Sequence, residues 1–237
     1  MRNDDNGNIR PAGGHRRTPY RLAALLLTGL VAAGHGRHGE ASAMTDRSTA
    51  VAAPAHEPAL ARHDFEAAVA RGMPREAVLL LVRVPHQTMD MVVDRTVITT
   101  FPVSTSRHGI GNRQHSFRTP LGLHEIVARI GTDAPPGQVF RGRVPTGQVI
   151  PAGAWHGNAD EDLVLSRILW LRGREPGVNA GPGICSYERY IYIHGTNEEH
   201  LLGRPASNGC IRMANRTVID LFHALADRPA WCWIVDE

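Results

Sequence analysis

The chain has 237 residues, 42% hydrophobic and 21% charged, a composition that suits an ordinary soluble globular protein with room for one well-cored domain plus a leader, or for two small domains. All 26 basic residues are arginine; six of them, against three acids, fall in the first 43 residues, so the remaining 20 arginines face 20 acids and the body of the chain is close to neutral. That balance gives no footprint for nucleic acid, and the lack of lysine excludes Ser–Lys and Schiff-base chemistry from the chain's own side chains.

Residues 1–43 have the pattern of a signal peptide or N-terminal anchor. Arg16, Arg17 and Arg21 flank a 13-residue apolar run at 22–34 (LAALLLTGLVAAG), which is short for a membrane span, and Ala41-Ser42-Ala43 offers a cleavage site before Met44. The expectation is export to the periplasm or cell envelope, with an uncleaved membrane anchor or a buried helix as the alternatives. Residues 44–76 read as a linker or N-terminal extension packed on the domain. Pro54 and Pro58 interrupt its start, and 63–71 (HDFEAAVAR) fits a short helix.

Strand signals follow. The continuous apolar run at 77–84 (AVLLLVRV) predicts a buried strand. Segments 89–93 and 96–103 flank Asp94-Arg95, a hairpin pattern. Residues 122–130 read as a strand, and Val139-Phe140 and Val149-Ile150 as short β segments. Residues 163–171 (LVLSRILWL) fit either a strand or a helix by pattern, and the dense turn region after them favours a strand. A β-rich run at 190–193 (YIYI) ends at His194, Asn215 is placed to cap a helix over 216–226, and 231–235 (WCWIV) gives a last strand. The sum is a mostly β fold, a curled sheet or sandwich with one or two short helices, in a single catalytic domain over 77–237.

The chemistry concentrates in residues 190–215. A strand delivers His194 at its end, a polar loop containing Gly and Pro follows, and the chain turns through Ser207-Asn208-Gly209 into Cys210. A thiol beside a glycine suits an acyl-transfer nucleophile. Gly209 permits a tight turn and close approach to a carbonyl, and consecutive N–H groups there can point at an oxyanion. Cysteine attacks as the thiolate and so needs a nearby base or positive charge. His194, 16 residues upstream, can supply the base, and Arg212 can add positive charge, grip a substrate carboxylate or form a structural salt bridge.

The pattern His194-Gly195-Thr196, ten residues, then Ser207-x-Gly209-Cys210-Ile211-Arg212 resembles the L,D-transpeptidase catalytic domain (YkuD-like) family. So do residues 101–106 (FPVSTS), Thr119-Pro120-Leu121-Gly122 and the stretch from Arg189 to Met213, and the resemblance spans roughly residues 77 to 235. It implies a β-rich domain of the bacterial cell envelope that transfers acyl groups on peptidoglycan stem peptides. The cysteine attacks the carbonyl of the third residue of a tetrapeptide, usually meso-diaminopimelate, and releases the terminal D-alanine. By the same resemblance Cys210 is the nucleophile, His194 the base and the Gly195 carbonyl the acceptor that orients its other nitrogen. Asn208, Gly209 and Cys210 are the candidate oxyanion donors, and Ser207, Arg212 and Thr196 complete the candidate substrate-binding set. The chain departs from the pattern at Asn208, where many members carry histidine, which weakens any role for a second imidazole.

Three functions follow: transpeptidation to an acceptor amine of a second stem peptide or a wall-attached protein, an L,D-carboxypeptidase or hydrolase that uses water, and a non-catalytic wall-binding module. No cofactor and no metal is implied; His194, His200 and Cys210 match no common zinc spacing, and His200 and His223 read as bystanders. Cys185 and Cys232 can form a disulfide after export, or else Cys185 lies near the site and Cys232 is simply buried.

Overall fold

The computed structural model describes residues 58–157 and 161–237, with side chains from residue 62 onward. The expected leader at 1–43 and the first part of the expected linker, 44–57, lie outside the described residues, and the reading of export and cleavage with them. No helix among the described residues is long and apolar enough to cross a membrane.

Among the described residues ten strands make one open sheet. In chain order they are β1 (Val78–Arg83), β2 (Thr88–Val93), β3 (Thr96–Pro102), β4 (Gly122–Ile130), β5 (Gln138–Arg141), β6 (Val144–Val149), β7 (Val164–Gly173), β8 (Tyr192–Gly195), β9 (Ile211–Met213) and β10 (Ala230–Val235). Two helices accompany them, α1 (Pro58–Ala70) and α2 (Asn215–Ala224). The main path runs β3-β2-β1-β10-β4-β7-β5-β6, and β8 branches from β7 to pair with β9. The fold is mostly β with two helices, and the curled sheet of the sequence reading is this branched, open one.

The two central strands explain the unbroken apolar runs. β1 and β10 lie parallel, Leu79 opposite Trp231 and Leu81 opposite Trp233, and every residue of both is buried. Alternate side chains leave the sheet on opposite faces. Leu79, Leu81, Trp231 and Trp233 meet Phe65 and Ala68 of α1 on one side. Leu80, Val82, Cys232 and Ile234 meet Val218, Leu221 and Phe222 of α2 and Ile193, Ile211 and Met213 of β8 and β9 on the other. A strand covered on both faces has no solvent side on which to place polar residues, so the run reads as continuous.

The β2–β3 hairpin turns at Asp94-Arg95, both with positive φ (48° and 69°), which matches the twist of a two-residue hairpin loop. Helix α1 starts earlier than the 63–71 segment and belongs to the folded body. Arg83, at the end of β1, lies buried between Asp64 of α1 and Asp90 of β2, and Thr100 donates to the Asp90 carboxylate at 2.6 Å.

One expectation is corrected, and one pair of alternatives is decided. Asn215 does not cap α2: Ala214 holds the N-cap position and Asn215 is the first helical residue. The Glu199 carboxylate takes over, accepting the Asn215 backbone N–H at 2.7 Å and Nδ2 at 2.8 Å, a negative charge at the positive end of the helix. Cys185 and Cys232 are not bonded to each other; all three cysteines are free, and Cys232 is buried in mid-sheet while Cys185 is half-buried in a loop.

Candidate active site

The site is built by pairing β8 with β9. The two run parallel, with Ile193 opposite Ile211 and His194 opposite Arg212. Alternation sends Ile193, Ile211 and Met213 into the core. His194 and Arg212 therefore emerge on the other face, and Tyr192 and Cys210, two residues earlier, emerge there with them. The backbone locks the thiol in place: the Tyr192 N–H donates to Cys210 Sγ at 3.4 Å, and the Tyr190 carbonyl lies 3.5 Å from it as acceptor. Cys210 thus sits one diagonal step across the strand pair from His194, on the same face.

His194 is buried, and its Nδ1 lies 2.8 Å from the carbonyl oxygen of Gly195. A carbonyl only accepts, so Nδ1 carries the proton and Nε2 keeps a lone pair. Burial pushes the imidazole pKa down, with Asp162 opposing, so the ring is neutral near pH 7 and can take a proton. Gly195 packs so closely against the side-chain oxygen of Asn215 and the carbonyl of Leu165 that a Cβ does not fit. Thr196 lies in the turn beyond, its hydroxyl accepting the Glu198 N–H at 3.1 Å and its carbonyl accepting Asn215 Nδ2 at 2.6 Å. It shapes the turn rather than facing the thiol.

The nucleophile loop is held from inside. Ser207 Oγ donates to the Cys210 carbonyl at 2.6 Å and accepts the Gly209 N–H at 3.2 Å, and Thr119 Oγ1 donates to the Gly209 carbonyl at 3.1 Å. Gly209 has φ +122°, a conformation that favours glycine. Ser207 is therefore a brace of the turn. Among the described residues the backbone N–H groups of Asn208 and Cys210 have no hydrogen-bond acceptor, whereas that of Gly209 is already engaged. Burial pushes the Cys210 thiol up to about 12, so the resting group is a neutral thiol and the nucleophile must be generated by proton transfer.

Arg212 is fully buried, its guanidinium 2.6 Å from Asp162 and 2.8 Å from Glu198. Of the roles open to it in the sequence, the structure holds the salt bridge. Asn208, exposed, accepts from Arg107 Nη2 at 2.9 Å and donates to Asp162 at 3.1 Å. His200 and His223 are exposed. Among the described residues no group of three His, Cys, Asp or Glu side chains converges as a metal ion would need.

Sequence reasoning missed Asp162, Glu198, Arg107 and Arg189. The first three lie in loops with no motif spacing to Cys210. Arg189 donates to the carbonyls of Gly111 and Arg118 and so ties the 111–118 loop to the site; its place at the start of the matched 189–213 stretch was the signal for it. Arg189, Tyr190, Phe117 and Asn208 line a 220 Å³ cavity beside the thiol, and Arg113 and Arg118 line a 590 Å³ one along the same loop.

The L,D-transpeptidase catalytic domain (YkuD) model matches residues 77–231. The chain belongs to this family. Among solved structures it is similar to an L,D-transpeptidase from Mycobacterium smegmatis, at 16% identity over 67% of this chain and 58% of that one, TM-score 0.40. It is similar also to L,D-transpeptidase 3 from Mycobacterium tuberculosis in complex with a faropenem-derived adduct, at 14% identity over 68% and 60%, TM-score 0.41. A third is the L,D-transpeptidase from Xylanimonas cellulosilytica, at 16% identity over 72% and 68%, TM-score 0.39. The chain spans about three-fifths of the length of the first two. No curated protein matches it.

Proposed function

We propose that this chain is an exported L,D-transpeptidase that forms a thioester between Cys210 and a peptidoglycan stem peptide and passes the acyl group to an amine. The observation that carries the reading is the register of β8 and β9, which sets Cys210 diagonally beside a His194 whose Nδ1 is engaged by Gly195 and whose Nε2 is left to accept a proton.

In the first half-reaction Cys210 Sγ attacks the carbonyl carbon of the third stem residue and its proton passes to His194 Nε2. The oxyanion is met by the N–H of Cys210, with that of Asn208 beside it, both of which lack another acceptor among the described residues. Collapse of the tetrahedral intermediate breaks the amide bond, and the D-alanine amine leaves with the proton returned from His194. In the second half-reaction an acceptor amine attacks the thioester, gives its proton to His194, and the Cys210 sulfur leaves and regains that proton. The arginines of the 107–118 loop and Arg189 give the cleft a positive lining suited to stem-peptide carboxylates. Export to the periplasm or cell envelope would place the enzyme with this substrate.

Mass spectrometry of the mature protein after incubation with a disaccharide-tetrapeptide tests the reading. A covalent acyl adduct on Cys210, lost in Cys210→Ala, is expected. Transfer of the adduct to an added amine distinguishes transpeptidation from hydrolysis. Intact turnover in Cys210→Ala overturns the reading; no adduct together with retained sacculus binding identifies a wall-binding module.

A further inference from the structure

Arg212 carries one positive charge and is met by two carboxylates, Asp162 at 2.6 Å and Glu198 at 2.8 Å. With all three ionised the cluster around the buried Arg212, its carboxylates half-buried, holds one negative charge in excess, and it lies across the strand pair from a histidine that is neutral at rest. A single carboxylate would neutralise Arg212, so the second calls for another explanation. The two oxygens of Asp162 differ in their surroundings. Oδ2 pairs with the Arg212 guanidinium at 2.6 Å and accepts from Asn208 Nδ2 at 3.1 Å, while Oδ1 is buried and, among the described residues, has no hydrogen-bond partner. A buried oxygen without a donor is costly unless a positive group arrives there. The segment bearing it is fixed: the Leu163 N–H donates to Asn197 Oδ1 at 3.1 Å and Asn197 Nδ2 donates to the Glu161 carbonyl at 3.0 Å, which ties both neighbours of Asp162 to the turn just after β8.

We propose that Asp162 is the counter-charge of the His194 imidazolium, a positioning residue whose free oxygen stabilises the ring once it has taken the Cys210 proton. The proposal rests on the Cys210–His194 reading above. During attack the thiol proton moves to His194 Nε2, and the excess negative charge of the Asp162–Arg212–Glu198 cluster is cancelled by the imidazolium. The other charged or titratable groups around His194 are Cys210, just before β9, Arg212 from β9, and Glu198 and Glu199 from the turn after β8, with His156 3.9 Å from Glu199. Arg107 reaches the cluster only through the amide of Asn208, and Arg189 acts on the thiol side. Asn208, where many family members carry histidine, here orients the carboxylate.

The test is the pH dependence of Cys210 alkylation by iodoacetamide in the full chain, with thermal unfolding recorded in parallel. Removing the negative charge destabilises the imidazolium. Asp162→Asn is therefore expected to move the acid limb about one pH unit lower and to slow the plateau about tenfold, since one unit of pKa corresponds to a factor of ten. Asp162→Glu keeps the charge and is expected to keep the acid limb of the wild type even where the plateau falls. A folded Asp162→Asn protein with an unmoved acid limb overturns the proposal and leaves Asp162 a structural partner of Arg212. If Asp162→Asn does not fold, Asp162→Glu decides: a moved limb with the charge retained overturns it. A wild type in which Cys210 is inert to both iodoacetamide and tetrapeptide would defeat the acyl-transfer reading itself, a result distinct from an unchanged profile in a reactive protein.

Discussion

A methyl group added at Gly195 would overlap the side-chain oxygen of Asn215 and lie 2.9 Å from the Leu165 carbonyl, both held by buried hydrogen bonds or strand pairing. Neither neighbour can give way cheaply, so Gly195→Ala is expected to cost about 1–3 kcal/mol of stability, the usual range for overpacking. It should also displace the carbonyl that fixes the His194 tautomer. Urea unfolding measures the first effect, and the acylation rate of the folded fraction, expected to fall at least tenfold, measures the second. The motif marked Cys210, His194 and Gly195 as candidates in the sequence because the pattern lies within one short stretch of the chain. The role of Arg212 was not legible, because its partners Asp162 and Glu198 come from other segments.

In strand β4, His124 is wholly buried, with one ring nitrogen 2.9 Å from the Gly122 carbonyl and the other 2.9 Å from Ser186 Oγ. It anchors the loop that leads into β8. Burial pushes its pKa down to about 4. The native state thus holds the ring neutral while the unfolded chain protonates it below roughly pH 6.5, so the stability it confers is complete above that pH and is lost as pH falls towards 4. A loss of about 3 kcal/mol across this window is expected in urea unfolding, and His124→Gln, which cannot protonate, should lack that part of the slope. A slope unchanged in the variant would place the titration elsewhere. Strands β1 to β4, β7 and β10 were well marked in the sequence, including the Asp94-Arg95 hairpin, whereas β6, exposed along its whole length, carried no run of apolar residues before Val149. β9 was not marked either, because three residues carry no periodic signal and become a strand only by pairing with β8.

For the whole molecule the telling element is α1. A chain beginning at Ala77 would keep every residue of the family match yet lose the Phe65 and Ala68 that cover Leu79, Leu81 and Trp233, and leave the buried Arg83 without Asp64. Burial of Phe65 contributes about 2–3 kcal/mol, and loss of the Asp64 carboxylate, which leaves Arg83 with Asp90 alone, costs about 1.5–3 kcal/mol more. Against a typical total of roughly 5–15 kcal/mol, the shortened chain is expected to melt about 10–20 °C lower than one beginning at residue 58, as a circular-dichroism melt would record. An unchanged melting temperature would show that α1 is dispensable.

By itself the sequence determined what depends on short range: the runs that become strands, the glycine turn before Cys210, and the order of histidine and cysteine that marks the family. These follow from side-chain alternation and local backbone freedom, which neighbouring residues fix. Only the tertiary structure decided which charges meet. Arg212 is buried between two carboxylates, Arg83 is shared by α1 and β2, and Cys232 and Cys185 stay apart. Long-range contacts of this kind are set by how strands register and fold back on one another, and no spacing within the chain records them.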